Sequence, residues 1–556
     1  MKKLLTLTLL VSSIAATAQA ASLTDQLPAG ALLTFETHNA GAALDRFTGL
    51  VGGVMKNVMG DQQSRSMMGS ISGFEQVLKS SIGKEAVAGV FSVGGGAQAF
   101  EPQLLAVTRV DEFSSEFFRS MIEQKPGAKV GVYPFVRQGG MFVGQAKGLV
   151  YLSSDKSLLM SYLARLSGKV APRLGDSVSY SVPTKAVGQQ ELSLFLNFSG
   201  IAKVARNQLA KIFLPRLLSP VVDAVDTLGT YSAGFSTNAQ GLSAQSAHAA
   251  NAYGKDQPLY RVLTHSTDFD VQNLIPASAE TVVTSACAPE SNAYAARWLN
   301  RIDLFDPVGF LTDSQLSSYL EESSRYLGDQ CAQVTLAGGT AASFNAANTA
   351  QSLDYTVTYQ KVSDMAAAQA AMPKYAASVN MAVAGVAKTL DKMMNKANLS
   401  GLQGMASSEM ELGALAGAAS SIKQVNAMLG SLKMVYAFKD GYLVTAFSQK
   451  ALMAALAENA PKLASDPKFM AANLTTSGSA GWQYARAPQK VTNAQLMKLF
   501  TASAGQADMK DMEGVLKPVA AVTTDLINRY GGMSSQSSVS NNLIVTQSKV
   551  AYRWGK

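Results

Sequence analysis

The stretch Leu27-Pro28-Ala29-Gly30-Ala31-Leu32-Leu33-Thr34-Phe35 returns in mid-chain as Ile275-Pro276-Ala277-Ser278-Ala279-Glu280-Thr281-Val282-Val283. Each copy reads as a turn followed by a strand and then a helix-like segment. After the first copy, Leu44, Phe47, Val51, Val54 and Val58 recur at spacings of three and four, which makes one apolar helical face. Further landmarks return in the same order. Ala86–Val93 and Gln103–Val110 are strand-like runs around Gly94-Gly95-Gly96. Their counterparts are the run that starts at Cys331, then Gly338-Gly339, then Leu353–Tyr359. Two apolar-alternating runs around a glycine connection read as a hairpin.

The best match lies further on. Lys147–Leu163 and Asp440–Leu456 each read as a turn glycine, a strand, a polar helix start and an apolar-faced helix. Arg173–Tyr180 then parallels Lys462–Phe469, and each half closes on an alternating hairpin. The expectation is an α+β protein of two tandem similar modules. Each would be an antiparallel sheet covered on one face by amphipathic helices. The boundary falls in the polar stretch Tyr253–Asp270, so residues 21–265 form the first copy and 266–556 the second.

The first 20 residues read as a secretion signal: Lys2 and Lys3, an apolar core from Leu4 to Ala16, and the small-x-small site Ala18-Gln19-Ala20. The apolar run is too short to span a bilayer, which needs about 20 apolar residues. Cleavage is expected after Ala20, into the periplasm, the cell envelope or the medium. No later segment reads as a membrane span, so any membrane contact is expected to be peripheral.

Cys287 and Cys331 are the only cysteines. In an exported chain such a pair reads as a disulfide, worth about 3–4 kcal/mol on the chain-entropy model. Without a Cys-x-x-Cys spacing a redox role is disfavoured. Removing Lys2 and Lys3 from the 47 basic residues leaves 45 against 39 acidic, a net of +6 without any concentrated run. Nucleic-acid binding, which wants a basic stripe, is therefore not expected.

Chemistry-bearing motifs are sparse. His38, His248 and His265 lack the spacing of a zinc motif. His38 reads as a surface or capping residue. Ser81–Lys84, Ser153–Lys156 and Ser420–Lys423 have Ser-x-x-Lys spacing, but the companion Ser-Asp-Asn and Lys-Thr-Gly motifs are missing. Gly94-Gly95-Gly96 lacks the Lys-Ser/Thr ending of a phosphate loop. Met55, Met59, Met67 and Met68 could offer thioethers to Cu(I), but core packing explains the Met55–Met59 pair. No catalytic residue, cofactor or metal ligand is assigned.

One segment differs between the copies. Residues from about Val386 to Leu432 form an Ala-, Gly- and Met-rich insertion in the second. Nine methionines lie between Met365 and Met434. Methionine suits adaptable apolar surfaces, so Met393, Met394, Met405, Met410 and Met428 are the candidate contacts for a ligand or partner. The plainer reading is a helical lid that completes the second core.

The Leu27–Phe35 opening, the strand-to-helix step Gly148-Leu149-Val150-Tyr151-Leu152-Ser153-Ser154 and the Leu174-Gly175-Asp176-Ser177 segment together resemble a family of uncharacterised exported bacterial proteins, a domain of unknown function. The resemblance is clearest over Leu27–Ser199. It implies an α+β fold and an extracytoplasmic location, and supplies no catalytic residues. The leading expectation is a non-enzymatic envelope protein acting as a binding or surface-organising module for an envelope protein or cell-surface polymer. The alternatives are a carrier of a lipid or other apolar ligand under the Met-rich lid, and an enzyme of unrecognised type.

Overall fold

Short apolar runs at alternate positions, bounded by turns, set the strands of this protein. In the computed structural model the described residues are 22–50, 84–94, 101–122, 127–168, 172–209, 215–302, 315–340, 353–396, 432–503 and 509–554. The chain is α+β and divides into two compact units. The first comprises Met1–Leu44 and Ser72–Phe235, the second Asp45–Ile71 and Ser236–Lys556.

The first unit holds β1 (Leu33–His38), β2 (Glu85–Gly94), β3 (Glu101–Arg109), β4 (Ala128–Val130), β5 (Tyr133–Gln138), β6 (Met141–Ala146), β7 (Leu149–Ser153), β8 (Leu192–Asn197) and most of β9 (Thr230–Asn238). All pairings are antiparallel. They give the order β5-β6-β7-β3-β2-β1-β8-β9, with β4 beside β5. Leu105, Val107, Tyr151 and Phe195 point into a core that the helix Lys156–Leu166 closes with Leu159, Tyr162 and Leu163. That helix starts where it does because Asp155 caps it, its Oδ1 accepting from the Leu158 N–H at 2.7 Å. Ser153 serves the same step, its hydroxyl donating to the Leu104 carbonyl at 2.7 Å. The Ser153–Lys156 spacing thus belongs to a strand-to-helix cap.

The second unit holds β10 (Gly241–Ala249), β11 (Thr281–Ala286), β12 (Leu327–Thr335), β13 (Thr356–Val362), β14 (Val435–Lys439), β15 (Tyr442–Ala446), β16 (Ser479–Arg486), β17 (Tyr530–Ser540) and β18 (Leu543–Tyr552). The antiparallel order is β14-β15-β13-β12-β11-β16-β17-β18-β10. Its core gathers Val282, Val334, Val357, Val444 and Trp482. The unit boundary lies earlier than residue 265 because β10 pairs along its length with β18, from Gly241↔Ala551 to Ala249↔Leu543.

The internal topologies correspond. The run β6-β7-β3-β2-β1-β8-β9 has the same connectivity as β14-β15-β13-β12-β11-β16-β17. The Leu174 N–H donates to the Leu27 carbonyl at 2.8 Å, and the Leu463 N–H donates to the Ile275 carbonyl at the same distance. Lys147-Gly148 and Asp440-Gly441 both have positive φ at consecutive positions, 52° and 70° in one pair, 49° and 80° in the other. A tight hairpin turn of this hand requires positive φ at both central residues, which glycine adopts freely.

The second unit is pinned near its core edge by Asp466 and Arg486, 2.9 Å apart. Burial works to raise the Asp466 pKa, but the Phe469 N–H and the Arg486 guanidinium outweigh it and hold it below 3.8. A folded pKa below the unfolded one gives stability that is present above about pH 4 and fades as pH falls through the folded value. Asp466→Asn should therefore lose less stability than the parent chain between about pH 6 and pH 3. Thermal melts at the two pH values check this, and equal losses in both proteins would remove the pair from the account.

Candidate polar cleft on the first unit

β1 breaks the rule that the strand's apolar residues face inward. Its sequence alternates Leu33-Thr34-Phe35-Glu36-Thr37-His38, and the apolar pair Leu33 and Phe35 would be expected inside. The structure reverses this. Phe35 is 46% exposed, whereas Thr34 is 2% and Glu36 7% exposed. Thr34, Glu36 and His38 share the covered face, because side chains two apart point the same way.

Register extends this polar row across the sheet. Glu85 on β2 pairs with His38, and Val87 pairs with Glu36. On the other flank Ser193 pairs with Glu36, and Phe195 pairs with Thr34. The helix Val178–Val187 covers this face, fixed by Tyr180 edge-on to Phe195 at 5.0 Å between ring centroids. A cleft of about 580 Å3 remains between helix and sheet, with Ser22, Asp25 and the turn at Arg173–Asp176 at its rim.

The cleft is rich in carboxylates. Glu36 Oε1 lies 2.8 Å from His38 Nε2. The oxygen is buried, yet no donor is aligned with it as a hydrogen bond. Glu85 is held by two donors, the Leu23 N–H to Oε1 at 2.5 Å and the Arg109 guanidinium to Oε2. Among the described residues, ligand atoms of Glu36, His38 and Glu85 all lie within 4.8 Å of one another. The Glu36 carboxylate, then the nearby Glu85 and Asp25, hold the His38 imidazolium form above its usual pKa against the effect of burial. Burial and then the negative charge of Glu36 raise Asp25. At the rim Arg173 and Asp176 neutralise each other at 2.9 Å.

The same register positions in the second unit carry different chemistry. Where the first unit has Thr34, Glu36 and His38, β11 has Val282, Thr284 and Ala286, and Gln330 stands opposite Ala286 where Glu85 stands opposite His38. Val282 and Ala286 belong to the core. Gln330 ties down the preceding segment as a neutral amide, its Oε1 accepting from the Asp270 N–H at 3.0 Å and its Nε2 donating to the Asp268 carbonyl at 2.6 Å.

His38 is thus not a surface or capping residue. Its side chain is 14% exposed and faces Glu36, because its place on β1 points it under the covering helix. Cys287 and Cys331 are joined in a disulfide with Cα atoms 5.8 Å apart. Met393 and Met394 fall on the helix Met365–Lys396, with side chains outside the described residues. Met405, Met410 and Met428, the serines Ser81 and Ser420 of the first and third Ser-x-x-Lys matches, and residues 1–20 also lie outside the described residues. No helix among the described residues is long and apolar enough to cross a membrane.

No family model matches the chain, and no curated protein matches it. Among solved structures it is similar to three crystal forms of TP0453. Form III is 12% identical with a TM-score of 0.25, covering 44% of this chain and 87% of that one. Form IV is 10% identical with a TM-score of 0.24 over the same shares. Form I is 12% identical with a TM-score of 0.23, covering 45% and 88%.

Proposed function

We propose that this chain is an exported, non-enzymatic protein of the bacterial envelope that acts as a binding module, and that the first unit's cleft is where it binds. The observation that carries this reading is the burial of Glu36 in a polar row where the second unit places core residues. A carboxylate buried against a single imidazole, with no hydrogen-bond donor well aligned to its Oε1, is costly to desolvate. Nothing in the packing of the sheet requires it, since Thr284 occupies the same register position. Local cost of this kind collects at functional sites.

The carboxylates of Asp25, Glu36 and Glu85 favour a ligand that brings positive charge. The neighbouring hydroxyls of Thr34, Ser181, Ser193 and Ser232 suit a hydroxylated one. Such a ligand fits a cell-surface polymer better than a lipid chain. The corresponding topologies of the two units support a tandem duplication in which only the first copy carries the cleft.

Site-specific photocrosslinking in the native host tests the reading. A benzophenone side chain at Gln189, on the cleft rim, is expected to give a discrete adduct that weakens several-fold in an E36Q background. The same probe at Val178, 74% exposed on the covering helix and outside the cleft, should give none. Equal adducts at both positions, or adducts indifferent to E36Q, would overturn it.

A further inference from the structure

We infer that Glu36, His38 and Glu85 form a binding site for a divalent transition-metal ion such as Zn2+, with a coordination position left open to the cleft. The inference rests on the cleft being a binding site, and names the positive charge that the site takes.

Three observations carry it. The first is convergence from a rigid frame. Glu36 and His38 are two apart on β1, and Glu85 is the direct antiparallel partner of His38, so all three side chains stand on one face of two hydrogen-bonded strands. Their ligand atoms lie within 4.8 Å of one another. Two ligand atoms about 2.0–2.1 Å from a tetrahedral ion are roughly 3.3 Å apart. The Glu36–His38 pair stands at 2.8 Å. A small side-chain rotation opens it to that spacing without moving the strand.

The second is the Glu36 carboxylate itself. The residue is 7% exposed and its Oε1 has no aligned donor. Two carboxylates and an imidazole converge on this place, together with Asp25 on the rim. An ion would replace the proton between Glu36 and His38 and bring both side chains to one positive centre. Imidazole with carboxylates is a donor set for Zn2+ or Mn2+ rather than for a soft, thiolate-seeking ion.

The third is Glu85. Its oxygens are held by the Leu23 N–H and by Arg109, and each retains a lone pair. Metal-binding carboxylates are commonly oriented by outer hydrogen bonds of this sort. Tying the preceding segment to the sheet does not require a charge, because Gln330 does so in the second unit as a neutral amide. A carboxylate at Glu85 therefore has a further role to fill, and its neighbour across the strand pair is the imidazole of His38.

The test is equilibrium binding of Zn2+ to the mature full-length chain, previously stripped with chelator, in competition with a chromophoric zinc indicator. One Zn2+ per chain is expected. Glu85→Gln keeps the Leu23 tie but gives up the Arg109 contact, so it should fold with a somewhat lower melt, yet weaken Zn2+ binding roughly tenfold or more, since even outer-shell changes cost about 10–100-fold. Glu36→Gln and His38→Ala should weaken it at least as much. Asp268→Asn, in the other unit, should leave it unchanged. Absence of stoichiometric Zn2+ binding, or affinity indifferent to E36Q, H38A and folded E85Q, overturns the inference. The Gln189 crosslink reports separately. Adducts that persist without Zn2+ binding leave the cleft a binding site and remove only the metal.

Discussion

Trp482→Ala is expected to destabilise the second unit by about 3–5 kcal/mol, the range for removing a large aromatic from a closed core. Trp482 is 1% exposed and sits on β16, between β11 and β17. Its ring meets Phe469 at 5.2 Å and Phe269 at 6.4 Å between centroids, and Phe469 in turn stands edge-on to Tyr484 at 5.3 Å. Sheet and cover both contribute, so neither side can close a cavity alone. Native proteins are stable by only about 5–15 kcal/mol, so this one change removes a large share. Trp482→Phe should cost much less. It keeps most of the ring contact and discards an indole N–H that is buried without a partner. Urea unfolding followed by circular dichroism separates the two variants. A loss below about 1 kcal/mol in the alanine variant would mean that the aromatic cluster is not the centre of this core.

Much of the fold was legible in local pattern. The alternation in Ala86–Val93 marked a strand that the structure contains as β2, and that in Leu353–Tyr359 overlaps β13, which begins only at Thr356 after a helical turn at 353–355. Gly148 and Gly441 marked hairpin turns for a stereochemical reason, their positive φ. The cysteine pair was readable from its number together with the expectation of export. Placing β10 was harder. Its alternating residues say that it is a strand, but the choice of β18 as partner depends on a register some three hundred residues away. Local periodicity carries no such information.

The cleft was hidden for a related reason. In Leu33–His38 the alternation is present, but it reads with either face inward, and hydrophobicity favours the wrong one. Only pairing with Val87 and Phe195, both buried, shows that Thr34, Glu36 and His38 lie on the covered side. Glu85 is distant in sequence and becomes a neighbour of His38 only through the β1–β2 register. One clue was available: Glu36 and His38 two apart in a strand-like run, where the second unit has Thr284 and Ala286. Methionine content pointed instead to the insertion, because composition measures adaptable surface and not convergence of side chains.

Breaking the Cys287–Cys331 bond is expected to be as costly as losing Trp482, and for a different reason. The bond joins residues 44 apart in sequence. Closing a loop of that length removes denatured-state entropy worth about 4 kcal/mol on the chain-entropy model. It also fixes the end of a strand pair. Cys331 is the β12 partner of Ser285, and the Cys287 N–H donates to the Asp329 carbonyl at 2.8 Å just past the β11 terminus. The closed loop contains the helices Glu290–Ile302 and Leu316–Ser323, which are thereby held to the sheet from both ends. The double variant C287S/C331S should lower the second unit's Tm by about 5 °C, because a unit of this size unfolds with an entropy of about 2.1 cal/mol/K per residue and so shifts by only about 1.4 °C per kcal/mol. The strands β11 and β12 should still form, since their ladder does not depend on sulfur. Reductant should reproduce the shift in the parent chain and do nothing to the double variant. A shift of only a degree or two would mean that the denatured chain already keeps Cys287 and Cys331 close, so that the bond constrains little. A shift in the parent on reduction that exceeds the double variant's would instead point to the free thiols themselves, which differ from serine in the half-buried site at the strand end.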